Sequence, residues 1–227
     1  MLFAIIGTLL RHEIIQFEWI IAGLTLGSII GALMAIFMPM TAMPQRIAIS
    51  HAFGALAATL VGLAEYMRHG GHMENGLMAA LGFEVLFGSL TVTGSIMAFC
   101  KLQELVKGAP ITYKFQNVSN IALFIMTAGI FIYLIFDPSP QALFYLMIGL
   151  GLLIGVLMVL PIGGTDMPVV VSLLNSYAGL AAAATGFAIN NKVLIICGAL
   201  DGTSGFFLSI LMSRAMNRSF GRGQCAL

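Results

Sequence analysis

Apolar residues run along this chain in blocks of about twenty, and polar residues gather at the breaks between them. A helix that crosses the hydrocarbon of a bilayer needs about 20 mainly apolar residues. Seven blocks meet that length: 17–38, 44–67, 77–106, 117–136, 141–160, 167–189 and 192–216. The breaks carry helix-stopping residues: Pro39 with Pro44, His69-Gly70-Gly71-His72, Pro110, Asp137-Pro138-Ser139-Pro140, Pro161 with Gly163-Gly164, and Asn190-Asn191. No loop is long enough to be a soluble domain. Residues Met1 to Leu10 are apolar but too short to span, and Arg11, His12 and Glu13 stop the run. Lacking a basic start and a small-residue cleavage site, this run reads as the second half of a helix rather than a signal peptide. The predicted fold class is all-α: a polytopic transmembrane helix bundle of about seven complete spans plus an N-terminal partial helix.

One phrase occurs twice. Met40 to Gly62 reads MTAMPQRIAISHAFGALAATLVG, and Gly163 to Gly186 reads GGTDMPVVVSLLNSYAGLAAAATG. A shift of 124 residues lays Thr41 on Thr165, Met43 on Met167, Pro44 on Pro168 and Leu56-Ala57-Ala58 on Leu180-Ala181-Ala182. The same shift lays His51 on Asn175. Composition alone makes Ala- and Leu-rich helices resemble one another, but the shared Thr-x-Met-Pro start favours an internal repeat. The copies open the second and sixth spans, four crossings apart, so they run parallel, and sites tend to form where such repeats meet.

Composition agrees with a membrane bundle. Of 227 residues, 59% are hydrophobic and 8% are charged, where a soluble domain carries about a quarter charged. A net charge of +1 with no basic run gives no reason to invoke nucleic acid. Cys100, Cys197 and Cys225 lack metal-ligand spacing and read as apolar fillers. Arg46, Lys101, Lys107, Lys114, Arg214, Arg218 and Arg222 fall on one side of the membrane, and Arg11, Arg68 and Lys192 on the other. The richer side is cytoplasmic by the positive-inside rule, and it holds the C-terminus. His51 and Asn175, each seven residues past its proline, then lie roughly 10 Å in from that side. Trp19 and Tyr66 stand at helix ends, as interfacial anchors do. Glycines four residues apart (Gly23, Gly27, Gly31; Gly151, Gly155; Gly198, Gly202) mark where helices touch.

Ionisable side chains within spans are expensive, about 2.5–3.5 kcal/mol at the centre, and are functional candidates by default. His51 is the first: an imidazole exchanges a proton around neutral pH. Its plainer role is a neutral ring bonded to a neighbouring helix. Asn175 can orient a water or an imidazole, or simply join helices. Glu84 heads a stripe with Gly88, Thr91 and Ser95, either a candidate relay or a carboxyl that only packs. Asp201 sits in a small and polar patch with Gly202, Thr203, Ser204 and Gly205, which allows a wet or unwound stretch and a pairing of Asp201 with His51. Asp166 stands at a helix mouth, where an N-cap is the ordinary explanation. No dinucleotide fingerprint, phosphate loop, zinc-protease motif or nucleophile elbow occurs. The chain therefore does no nucleotide chemistry in water by itself.

The string GGTDMPVVVSLLNSYAGLAAAATGF (Gly163 to Phe187), the later SRAMNRSF (Ser213 to Phe220), Met40-Thr-Ala-Met-Pro-Gln45 running to His51, and Thr91-Val-Thr-Gly-Ser95 with Ala98-Phe99 and Lys101-Leu102 resemble the membrane domain of the beta subunit of proton-translocating NAD(P) transhydrogenase. The resemblance runs from about Trp19 to Phe220. It implies a membrane domain that conducts inward-moving protons, while two soluble domains pass hydride from NADH to NADP+. It also implies that His51 is the family's intramembrane histidine for proton transfer and Asn175 its polar partner. Asp166 matches the aspartate at the mouth facing the NADP-binding domain, and Gly202, Thr203, Ser204 and Gly205 match the coupling patch, with Asp201 beside them. Asp201 stands where the family pattern leads one to expect an apolar residue.

These readings together predict a transmembrane proton-translocating domain over 1–220 and a short cytoplasmic tail over 221–227, with the NADP-binding domain absent. The chain is expected to bind no cofactor or metal itself and to be inactive alone. NADP(H) and NAD(H) are expected in the complete enzyme, a dimer, with an alpha subunit carrying the NAD(H)-binding domain as partner. The location expected is a bacterial inner membrane, or the mitochondrial one. Two rivals remain at this stage: a membrane scaffold whose polar residues serve packing, and a small-solute transporter built on the repeat.

Overall fold

The computed structural model describes residues 17–37, 39–69 and 73–216; the N-terminal run over Met1 to Leu10 and the tail over 221–227 lie outside the described residues. Among the described residues, seven helices are long and apolar enough to cross a membrane: α1 (Phe17–Phe37), α2 (Met43–His69), α3 (Asn75–Leu102), α4 (Gln116–Phe136), α5 (Gln141–Val159), α6 (Met167–Ala188) and α7 (Lys192–Ala215). Among the described residues there is no strand. A bilayer core offers no water to backbone amides, so each span satisfies its own as a helix. Threonines within the spans follow suit. Thr59, Thr127 and Thr185 each return a hydroxyl to the carbonyl four residues back, at 2.7–3.0 Å.

The described residues fall into two compact units, divided between Met43 and Pro44. In the first, α1 carries Glu18 in its first turn, and Thr25 Oγ1 donates to Ile21 O at 2.9 Å. Gly23, Gly27 and Gly31 do not mark a helix contact within that unit: a Cβ on any of them would meet no atom within 4 Å.

The second unit is organised around α3, whose glycines let its neighbours come close on several sides. A Cβ on Gly88 would lie 2.5 Å from Thr59 Oγ1 of α2, and one on Gly82 would strike the Phe131 ring of α4. On Gly94 it would meet Leu174 of α6 at 2.9 Å. Gly155 of α5 in turn sits against Gly94, and Thr93 Oγ1 donates to Leu152 O at 2.6 Å. Such close approach replaces the hydrophobic drive that lipid cannot supply between helices. Leucines, isoleucines and phenylalanines meanwhile stay exposed along α4 and α7. Water would penalise that surface heavily, and hydrocarbon does not.

Helix ends show where sequence periodicity overran. The third span stops at Leu102, not at 106. Glu104 adopts a left-handed φ of 57°, and the amides of Leu105 and Val106 fold back onto Cys100 O at 3.0 and 3.3 Å. Asn191 caps α7, its side chain accepting from Val193 and Leu194 amides at 3.1 and 3.2 Å.

Tyr66 is no interfacial anchor. It is 1% exposed, stacks on Phe144 with centroids 3.9 Å apart, and donates to Pro138 O at 2.7 Å. Tyr66→Phe keeps the stack and loses the hydrogen bond, so it should destabilise by about 1 kcal/mol. Tyr66→Leu should lose clearly more, which thermal unfolding of both variants in lipid nanodiscs would measure.

Candidate functional site

The duplicated phrase folds twice in the same way. Each copy opens with a single 3-10 turn, Met40–Ala42 or Gly164–Asp166, and passes directly into a helix whose second residue is proline. Proline suits that place because its missing N–H has no intrahelical partner there. Ala48 shares a core cluster with Met167, Val170 and Leu174, and further along Glu84 of α3 lies against Gly62, with Thr185 as another polar neighbour. The two helices therefore run parallel.

His51 and Asn175 meet between them. His51 Nε2 is hydrogen-bonded to Asn175 Oδ1, and Nδ1 lies 2.6 Å from Ile47 O, one turn back on its own helix. Both residues are half-buried. On its other side, Asn175 Nδ2 donates to Asp201 Oδ1 of α7 at 3.3 Å. Asp201 therefore does not touch His51; it reaches the ring through the amide. A carboxylate, an amide and an imidazole thus form one chain across α7, α6 and α2.

The position of Asp201 follows from how α6 and α7 pair. A Cβ on Gly179 would meet Gly202 Cα at 2.8 Å, and one on Gly198 would meet Gly179 O at 2.7 Å. Ser176 Oγ donates to Gly202 O at 2.7 Å and Ser172 Oγ to Gly205 O at 2.9 Å. Backbone contact on this scale fixes the register of the two helices to within a residue. Gly202 to Gly205 do not unwind; α7 is one helix from Lys192 to Ala215. Thr203 Oγ1 returns to Ala199 O at 2.9 Å and Ser204 Oγ to Asp201 O at 3.0 Å, and both residues are exposed.

Asp166 occupies the cap position of α6 without making a side-chain cap hydrogen bond. Beside that helix mouth, Lys101, Leu102, Glu104, Lys107, Gly108, Ala109 and Gly164 line an open pocket of about 620 Å³. It lies at the helix ends rather than beside His51.

Glu84 is fully buried, and neither carboxyl oxygen has a hydrogen-bond partner of good geometry. Its stripe does not bond internally. Thr91 Oγ1 donates back to Phe87 O at 2.7 Å, and Ser95 Oγ has no partner. Facing Gly62, Glu84 stands roughly 16 Å along α2 from His51.

Sequence reasoning missed Lys101. It reads as a surface charge, yet it is 2% exposed. Its ammonium donates to Val159 O at 3.3 Å, to Leu160 O, and to Ile162 O at 2.9 Å. Those carbonyls end α5, where intrahelical donors run out and a cation is favoured. The signal available was a lone lysine inside a long span. Ser172 and Ser176 share a helix face with Asn175 by their spacing, but nothing in the sequence shows their acceptors on α7.

The chain matches the sequence model of a family described as NAD(P) transhydrogenase beta subunit, over residues 1–222. Two sequences of NAD(P) transhydrogenase subunit beta from Rhodospirillum rubrum are each 39% identical to it over 226 residues. The match covers 96% of this chain and 48% of each relative, so the chain spans about half the length of the curated relatives it matches.

Proposed function

Because this chain belongs to the NAD(P) transhydrogenase beta subunit family, we propose that it forms the proton-conducting membrane part of a transhydrogenase. Separate nucleotide-binding domains, one for NAD(H) on an alpha subunit and one for NADP(H), would pass hydride from NADH to NADP+. This chain would hold neither nucleotide and would be inactive alone. The complete enzyme would sit as a dimer in a bacterial inner membrane, with this chain's C-terminus in the cytoplasm.

The observation that carries this reading is the contact of His51 with Asn175 across the two copies of the repeat. Imidazole is the side chain whose ordinary protonation range spans neutral pH. Here it is held between helices by a partner that cannot itself titrate. Nucleotide exchange would drive transport by favouring one of two helix arrangements, each exposing His51 to a different side. Asp166 and the Gly202-Thr203-Ser204-Gly205 patch would link that change to the nucleotide domains. Glu84 is a candidate relay toward the opposite side.

His51→Ala in the assembled enzyme, in proteoliposomes, tests this directly. Nucleotide binding should persist while coupled proton uptake falls at least a hundredfold. Uptake at the wild-type rate would falsify the assignment. A scaffold would behave differently: His51→Phe and Asn175→Leu would lower the melting temperature or block assembly and leave flux intact.

A further inference from the structure

His51 Nδ1 faces Ile47 O, an atom that can only accept, so Nδ1 carries a proton. Nε2 faces Asn175 Oδ1, which also only accepts, so with the amide in this orientation only a ring protonated at both nitrogens satisfies both contacts. The same amide turns its NH2 group to Asp201 Oδ1, at 3.3 Å, which suits a carboxylate. Charge is thus balanced through a neutral bridge. Half a turn of the amide exchanges its oxygen and nitrogen. Nδ2 would then donate to a bare Nε2, and Oδ1 would face Asp201, which must carry a proton to meet it. A neutral ring together with an ionised carboxylate fits neither orientation, since one end of the amide would then set lone pair against lone pair.

We propose that His51 and Asp201 share one proton across Asn175, and that the orientation of the Asn175 amide records which of them holds it. Between the two states an N–H bond at His51 Nε2 breaks and its proton leaves to water, while an O–H bond forms on the Asp201 carboxyl with a proton taken from water, since the amide between them passes none on. The number of protons held by the pair does not change. Asp201 is a positioning residue that sets the charge on the ring from the far side of the bridge. This rests on the reading of His51 as a proton carrier and deepens it.

Room for the amide to turn comes from α7. A Cβ on Gly205 would lie 3.0 Å from Asn175 Nδ2 and 2.9 Å from the Ser176 amide, so glycine keeps that space open. Arg46 stands five residues before His51 on α2, and Tyr177 of α6 turns to the Phe87 ring of α3. Glu84 faces Gly62, about three turns along α2, and Asp166 precedes Asn175 by more than two turns of α6.

Nuclear magnetic resonance of the full chain in lipid nanodiscs, with 15N histidine and 13C aspartate, reads both ends at once. His51→Gln and Asp201→Asn identify the two signals. In the wild type, the fraction of ring present as imidazolium should equal the fraction of carboxyl present as carboxylate throughout the pH range in which the pair holds one proton. In Asp201→Asn the imidazolium-to-imidazole ratio at pH 7 should fall at least tenfold, and Asp201→Glu should restore it to within about threefold. An unchanged ratio in Asp201→Asn, or ring and carboxyl fractions that differ in that range, overturns the shared proton. Should Asp201→Asn fail to fold, loss of the labelled aspartate signal in Asp201→Glu assigns it, and the wild-type signals decide. Flux loss in His51→Ala without equal fractions refutes the shared proton and leaves the conducting role standing. Equal fractions with flux intact in His51→Ala do the reverse.

Discussion

Gly179→Leu should prevent α6 and α7 from pairing and leave little folded chain. The added side chain would start against the Asp201 and Gly202 backbone, with Gly202 Cα at 2.8 Å. Main chain cannot step aside as a flexible side chain can, so the helices must separate. Separation would break the Ser176 bond to Gly202 O and the Ser172 bond to Gly205 O as well. The loss should exceed about 3 kcal/mol, the upper end for overpacking a core. Size-exclusion chromatography and thermal unfolding in detergent give the measurement. Gly54→Leu is the matched control, because a Cβ there meets nothing within 4 Å. A Gly179→Leu chain that melts like Gly54→Leu would contradict the backbone contact.

Lys101→Met comes second, with an expected loss of about 2 kcal/mol. Methionine fills a similar volume and removes the ammonium that serves the Val159, Leu160 and Ile162 carbonyls. Unsatisfied acceptors then end a helix inside the protein. Relief from burying a charge offsets part of the loss, which keeps the figure below the sum of three bonds. Lys101→Arg should recover some of it. A lysine whose role was only surface charge would give no change in melting temperature for either variant.

How much the chain announced can be seen from these residues. The spans were legible because hydrocarbon thickness dictates their length. The repeat announced His51 and Asn175 as counterparts, and the structure sets them in contact. It could not announce Asp201 beside Asn175. That neighbour depends on the register of α7 against α6, which glycine contacts decide in three dimensions. Leu105 and Val106 hid the end of α3, since apolarity continues past the point where Glu104 turns left-handed. Tyr66 and Lys101 sit near helix ends in sequence, where exposure is the natural expectation. Each is buried because a distant segment, Pro138 or the end of α5, returns to cover it. Asp166 has the right residue type for a cap, yet its backbone is helical (φ −94°, ψ 0°) where a capping residue is extended, and its side chain makes no cap bond.

The glycine seam between α6 and α7 also restricts how this protein can move. Two rods clasped through their main chains cannot slide by a fraction of a turn; the next matching register is a whole helical turn away, near 5.4 Å. They must travel as one piece. A motion of α2 against that pair would leave the glycine seam intact and load the hydrogen bond between His51 and Asn175 instead.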